Sequence, residues 1–325
     1  MQITGNAKVK FFGLEDELRH PHSEDPNWQE SVVMHWYDAA NGIGGLHRIG
    51  HEPNCDGGVA VLWSMVFSRD GWRYKRDLTL PLTTADRPAE GFGAGSQLRF
   101  TCNPVPTWSV DDGPLTLELE CRDFCPPIDT SSTIARNLAD GHFEAAGVVT
   151  GRLRYEGREF AIQGHGWRDH SWGPRDWKGF LLNHRWITGT FGPRLSFFAL
   201  IVQGANGDFH PAGFTIENDH VRVTSNFDVV MHIEADGLTH RGGELVYRFD
   251  DGSTTEIRFR AIDGAIFRRG TVANVDILSV AEWQGLTGYC DAEMSTNPRL
   301  GNAPVTVALR ANLEDGFTLR PLLRA

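Results

Sequence analysis

Positive charge is in deficit in this sequence: 31 Lys and Arg stand against 42 Asp and Glu, a formal net charge of -11. A broad nucleic-acid surface needs clustered positive charge, so that class of partner is excluded. A polybasic membrane anchor is excluded on the same ground. Long hydrophobic runs are missing as well. The longest, residues 195–202, falls far short of the roughly 20 residues a membrane helix requires, so no integral membrane segment is expected. The opening residues, MQITGNAKVKFFG, lack the apolar stretch of a secretory signal. Cysteine is scarce, odd in number and widely spread: Cys55, Cys102, Cys121, Cys125 and Cys290. Cys121 and Cys125 are four apart, which is neither a redox pair nor a zinc half-site. Free thiols in a reducing cytoplasm are the expectation. No G-x-S-x-G elbow, phosphate-binding loop, kinase signature or paired CxxC occurs. Helical periodicity is nearly absent. Residues 131–139 are the one short candidate, with Thr130 or Ser131 as N-cap.

Glycine and tryptophan are over-used, with 36 and 10 residues among 325, where glycine normally makes up roughly 7%. The glycines punctuate runs of β-branched and aromatic residues. Residues 59–67 read as a strand, residues 115–121 alternate apolar and polar side chains strictly, and so do residues 149–155. Asp251-Gly252 sits between two alternating runs, 244–249 and 254–260, as the turn of a hairpin. The chain reads as antiparallel all-β, with about 16 to 20 short strands. The strand pattern breaks over residues 123–140 and resumes at Val148. The expected organisation is therefore two β domains, residues 1–145 and 146–325.

The densest chemistry lies in Gly164-His165-Gly166-Trp167-Arg168-Asp169-His170-Ser171-Trp172-Gly173-Pro174-Arg175-Asp176-Trp177. On a strand, His165, Trp167 and Asp169 point one way and Arg168 and His170 the other, with Gly173-Pro174 ending the run. A carboxylate desolvated beside indole rings is driven toward its neutral form, and a neutral carboxyl is a general acid. Indole faces stabilise developing cations. The opposing interpretation is an internal polar network with tryptophans as core filler. His165, Asp169 and His170 are also metal-ligand types, but their spacing matches no zinc signature. No metal and no cofactor are expected. A second segment, Met34-His35-Trp36-Tyr37-Asp38 followed by a glycine turn and His47, reads as a hairpin. Its His35, Tyr37 and His47 are candidates for the wall of the same pocket. Trp186, in Asn183-His184-Arg185-Trp186, is a third candidate.

The segment from Gly164 to Gly173 resembles the G-x-G-x-x-D-H-x-W-G motif of the AttH-like and carotenoid 1,2-hydratase (hydroxyneurosporene synthase) proteins. Asp169, His170, Trp172 and Gly173 match its core. The resemblance implies two lipocalin-like β-barrel domains in one chain, the second carrying the motif, and an apolar ligand. It implies proton-initiated hydration, with Asp169 as acid or as the group orienting His170, and Trp167 and Trp172 lining the pocket. Trp167 and Arg168 depart from the family pattern, and so does the tail from Gly173 to Trp177, so a smaller isoprenoid or an aromatic molecule fits as well as a carotenoid. The expected activity is a cofactor-independent hydratase or dehydratase. Asp169, His170 and His165 are the catalytic candidates, and Trp167, Trp172, Trp177, Trp186, His35 and Tyr37 are the substrate-binding ones. An isomerase, cyclase or carbon–carbon lyase on a similar ligand, and a carrier without chemistry, are the alternatives.

Overall fold

The computed structural model describes residues 2–4, 9–131, 139–176, 181–206, 208–234, 239–269, 272–296 and 317–318. The helical candidate at 131–139 falls almost wholly outside them. Two eleven-stranded sheets account for nearly all of the described chain. One compact unit is built from Lys10 to Arg175 and the other chiefly from Asp176 onward. The fold is all-β and lipocalin-like, as expected.

In the first unit the neighbouring strands run Arg73–Pro81, Val59–Ser68, Ile43–Glu52, Trp28–Asp38, Arg158–Pro174, Gly141–Tyr155, Leu115–Asp123, Pro106–Asp112, Leu98–Cys102 and Gly91–Ala94. Every pairing along this path is antiparallel. Alternation sends one face inward, where Val32, Met34, Trp36, Phe92, Phe100, Trp108, Leu119 and Val149 form the core. The second unit repeats the scheme around Ile187, Phe197, Leu245, Tyr247, Ile257 and Trp283. Its hairpin of His240–Arg248 and Thr254–Arg269 pairs Arg248 with Thr254 across the Asp251-Gly252 turn. One pairing there is parallel, Gln2–Thr4 with His220–Thr224.

The expected division at 145/146 falls inside the strand Gly141–Tyr155, and the motif strand Arg158–Pro174 lies in the first unit, not the second. Gly141 and Gly147, which flank the expected boundary, are packing positions. A Cβ on Gly141 would meet Trp172 Cζ2 at 2.1 Å, and one on Gly147 would meet the Arg122 carbonyl oxygen at 2.5 Å. They let strands and an indole approach closely, so the segment is sheet.

Candidate active site

Arg158–Pro174 lies between Gly141–Tyr155 and Trp28–Asp38, and the register sorts its motif into two faces. On one face His165, Trp167 and Asp169 stand opposite Tyr37, His35 and Val33, and opposite Val148, Ala146 and Glu144. On the other, Arg168, His170 and Trp172 stand opposite Met34, Val32 and Glu30. The second face is the barrel interior, since Met34 and Val32 belong to the core. Asp169 and His170 are adjacent in sequence yet back to back across the sheet. They cannot form the pair that adjacency suggests.

Each finds other partners. On the Asp169 face, His142 Nε2 lies 3.1 Å from Glu144 Oε1 and 3.8 Å from Asp169 Oδ2. Trp167 Nε1 donates to Glu144 Oε2 at 2.5 Å. Trp167 and Glu144 are fully buried, whereas the side chains of His142 and Asp169 keep 11% and 12% of their surface. The accessible edge of this cluster is therefore a histidine and a carboxylate. Burial pushes the Glu144 carboxyl up to about 7, with the Asp169 charge adding to the rise and the contacts with His142 and Trp167 opposing it. Burial would lower His142, but its two carboxylate neighbours outweigh this and raise it to about 9.

On the interior face, His170 Nε2 lies 3.0 Å from Glu30 Oε1 and His20 Nδ1 lies 2.8 Å from the same oxygen. The His20 amide also donates to Glu30. Burial would raise Glu30, but these hydrogen bonds and the His170 charge hold it below the ordinary carboxylate range. Trp172 stacks on His20, with centroids 3.6 Å apart and planes 9° apart. Arg168 is buried in an ion triad, with Glu17 at 2.6 Å and Asp123 as its other partner. It lies over the Phe143 ring at 5.3 Å. A pocket of about 370 Å³ opens here, lined by Arg168, Asp123, Phe12, Leu14, Val105 and Pro106 among others. Neither Asp169 nor His170 lines it.

The remaining candidates are placed as follows. His165 touches Phe124 edge-on, with centroids 5.8 Å apart, and burial lowers its basicity. His35 is fully buried beside Trp167 in the register and is pushed down to about 3 by burial, so it stays neutral. The Tyr37 hydroxyl accepts from Arg69 Nη2 at 2.7 Å. Trp167 and Trp172 are on opposite faces and cannot form one wall. Trp186 is buried in the second unit, opposite Glu293 in the register. Trp177 lies outside the described residues. Sequence reasoning did not reach His142, Glu144, Glu30 or His20. The signal for the first two is His142-Phe143-Glu144 at period 2, but it is visible only if residues 141–147 are read as strand. Two groups of three ligand types, His20 with Glu30 and His170, and His142 with Glu144 and Asp169, each keep their ligand atoms within 4.8 Å.

Residues 13–298 match the family model described as "Domain of unknown function (DUF7064)". No curated protein sequence matches the chain. Among solved structures, the AttH-assigned protein of Nitrosomonas europaea superposes with a TM-score of 0.65 at 10% identity, covering 91% of this chain and 99% of that one. CghA in complex with Sch210972 gives 0.62 at 11% identity, over 83% of this chain and 89% of that one. Kievitone hydratase from Nectria haematococca gives 0.60 at 12%, over 91% and 96%. At these identities the likeness is one of fold, and it is the fold that the motif resemblance implied.

Proposed function

Because the chain belongs to the family described as a domain of unknown function (DUF7064), we propose its function from the site itself: a hydratase or dehydratase acting by acid–base chemistry on an apolar or aromatic small molecule. The observation that carries this reading is the buried Glu144 carboxyl, held by Trp167 and bordered by His142 and Asp169 at the accessible edge. Burial keeps a proton on Glu144 near neutral pH, where a general acid is most effective. In dehydration His142, at the accessible edge, passes its proton to a substrate hydroxyl and is reprotonated by Glu144 behind it, the carbon–oxygen bond breaks and water leaves. Asp169 then accepts a proton from the neighbouring carbon as the double bond forms, and the His142 imidazolium lies between the two carboxylates to hold their charge. Hydration is the reverse. The fold shared with kievitone hydratase supports the reaction class. The sequence-based acid, Asp169, keeps a role, whereas His170 faces away from it.

A second reading is favoured by the pocket. Its apolar wall and its distance from the Asp169 face suit a carrier that holds its ligand beside Arg168. Product mass separates the readings. The protein is incubated with a panel of apolar alkenes and alcohols, and products are weighed. A gain or loss of one water is expected, reduced by about 10²–10⁴-fold in Glu144→Gln and in Asp169→Asn. Binding with no new product formed supports the carrier. A new product of unchanged mass, separated from the substrate by chromatography, means an isomerase or cyclase. Full turnover in both variants removes this cluster from the chemistry.

A further inference from the structure

The interior of the first barrel holds a second group that the proposed reaction does not use. We propose that His20, Glu30 and His170 form a binding site for one divalent transition-metal ion of the zinc class. The inference is independent of the hydratase reading.

The geometry is one of convergence. His20 Nδ1 at 2.8 Å, His170 Nε2 at 3.0 Å and the His20 backbone nitrogen at 2.9 Å all aim at one atom, Glu30 Oε1. The other oxygen, Oε2, receives only the same backbone N–H at 3.2 Å. A carboxylate oxygen has two lone pairs, so three donors on one oxygen and a shared one on the other is an uneven distribution. Two imidazole nitrogens and a carboxylate oxygen within 4.8 Å of one another form a donor set of two histidines and one carboxylate. Zinc and iron of the divalent class take this set, leaving open positions for water. An ion would replace the two imidazole protons at the point where the three atoms converge.

The ligands come from separated positions that the fold fixes independently. Glu30 and His170 sit on neighbouring strands, facing inward. His20 precedes the first of these strands and is held by its stack on Trp172. His170 is fully buried, and its ring is set by edge contacts with Phe92 at 5.4 Å and Phe143 at 5.5 Å. Aromatic packing here takes the orienting part that an outer hydrogen bond plays at many metal histidines. The His20 amide on Glu30 orients the carboxylate. His20 keeps 21% of its side-chain surface, which leaves an approach for the ion and for water. The other ligand-type group, His142 with Glu144 and Asp169, offers one imidazole and a longer 3.8 Å contact.

The test is calorimetric titration of the chelator-treated full chain with Zn²⁺, and with Co²⁺ followed by its visible absorption. One equivalent is expected to bind, with an absorption band reporting nitrogen and oxygen ligands. His20→Ala, a partly exposed position whose loss leaves the core intact, and Glu30→Gln are each expected to weaken binding at least tenfold. Glu144→Gln is expected to leave binding unchanged. Absence of saturable binding overturns the proposal, as does binding that survives His20→Ala and Glu30→Gln or is lost in Glu144→Gln. Each variant's circular dichroism must match the parent, and a misfolded Glu30→Gln leaves His20→Ala to decide.

Discussion

Trp167 adds to burial and the His142 contacts in setting the pH at which Glu144 gives up its proton. Burial raises the carboxyl to about 7, and the indole N–H opposes that rise by favouring the charged form. Trp167→Phe keeps the ring and removes the donor. A hydrogen bond to a charged group contributes about 1.5–3 kcal/mol, and one pH unit corresponds to about 1.4 kcal/mol. The inflection assigned to Glu144 should therefore move upward by about one to two pH units. The direction follows from the acid's role: activity needing protonated Glu144 is lost as pH rises through its pKa, so the variant should hold activity to higher pH. A pH–rate profile, or infrared titration of the carboxyl band, reads the shift. An unmoved inflection would mean that Trp167 only fills space. At this scale the alternation of His165, Trp167 and Asp169 against Arg168 and His170 is readable from sequence, because it depends only on the pleat. The partners are not. His142 and Glu144 reach Asp169 across a strand pair, and Glu30 reaches His170 from a position 140 residues away.

The central hairpin of Gly141–Tyr155 and Arg158–Pro174 shows where a sequence signal misleads at the scale of an element. Glycines at 141 and 147 flank the expected domain boundary, and flexible linkers use the same residue. Here they are used for their missing side chain, as Gly164 is, where a Cβ would meet the Tyr37 carbonyl oxygen at 2.2 Å. Gly173 has a different reason: its φ of 121° lies in the region that disfavours side chains, and it turns the strand end beside Asp140. The two interpretations of Gly147 differ in sign. Gly→Ala in a linker is neutral or slightly stabilising through the unfolded chain. Gly→Ala at a 2.5 Å approach to the Arg122 carbonyl forces two strands apart, and overpacking of this kind costs about 1–3 kcal/mol. Gly147→Ala should lower the thermal midpoint and reduce protection from hydrogen exchange in the strands Leu115–Asp123 and Gly141–Tyr155. A midpoint equal to or above the parent's would return this segment to the linker class. The number of strands exceeds the expected 16 to 20 because very short strands add to the long ones. Twenty-two are described, and several, such as Ile128–Asp129 and Gly91–Ala94, are too short to show any alternation.

For the whole molecule, the two units carry different buried ionisable groups and should respond differently to acid. In the Lys10–Arg175 unit, burial pushes His35 and His47 down to about 3, so both are neutral when folded. Unfolding lets them take up protons below their ordinary value of 6.5. Their contribution to stability is complete above that pH and is lost as pH falls toward 3, by about 1.4 kcal/mol per histidine per pH unit. Glu144 and His142 act in the opposite sense, because raised values mean that the folded state holds protons longer. Their effect is exhausted below 4.5 and 6.5, their ordinary values, so nothing from this pair offsets the histidines between pH 4.5 and 3. The second unit has one such histidine, His240, lowered to about 4 by burial. It also holds Asp291, whose carboxyl burial and the nearby Glu293 keep well above the usual range. A raised carboxyl destabilises the folded state as pH rises past 3.8 and is relieved by acid. Acidification therefore loads the first unit and partly unloads the second. Brief digestion with pepsin at stepped pH between 4.5 and 3, with the cut sites mapped by mass spectrometry, should show cleavage within residues 10–175 at a higher pH than within residues 181–296. Cleavage of the second unit first, or of both at one pH, would mean that the buried histidines do not govern acid stability and that the two sheets unfold as one.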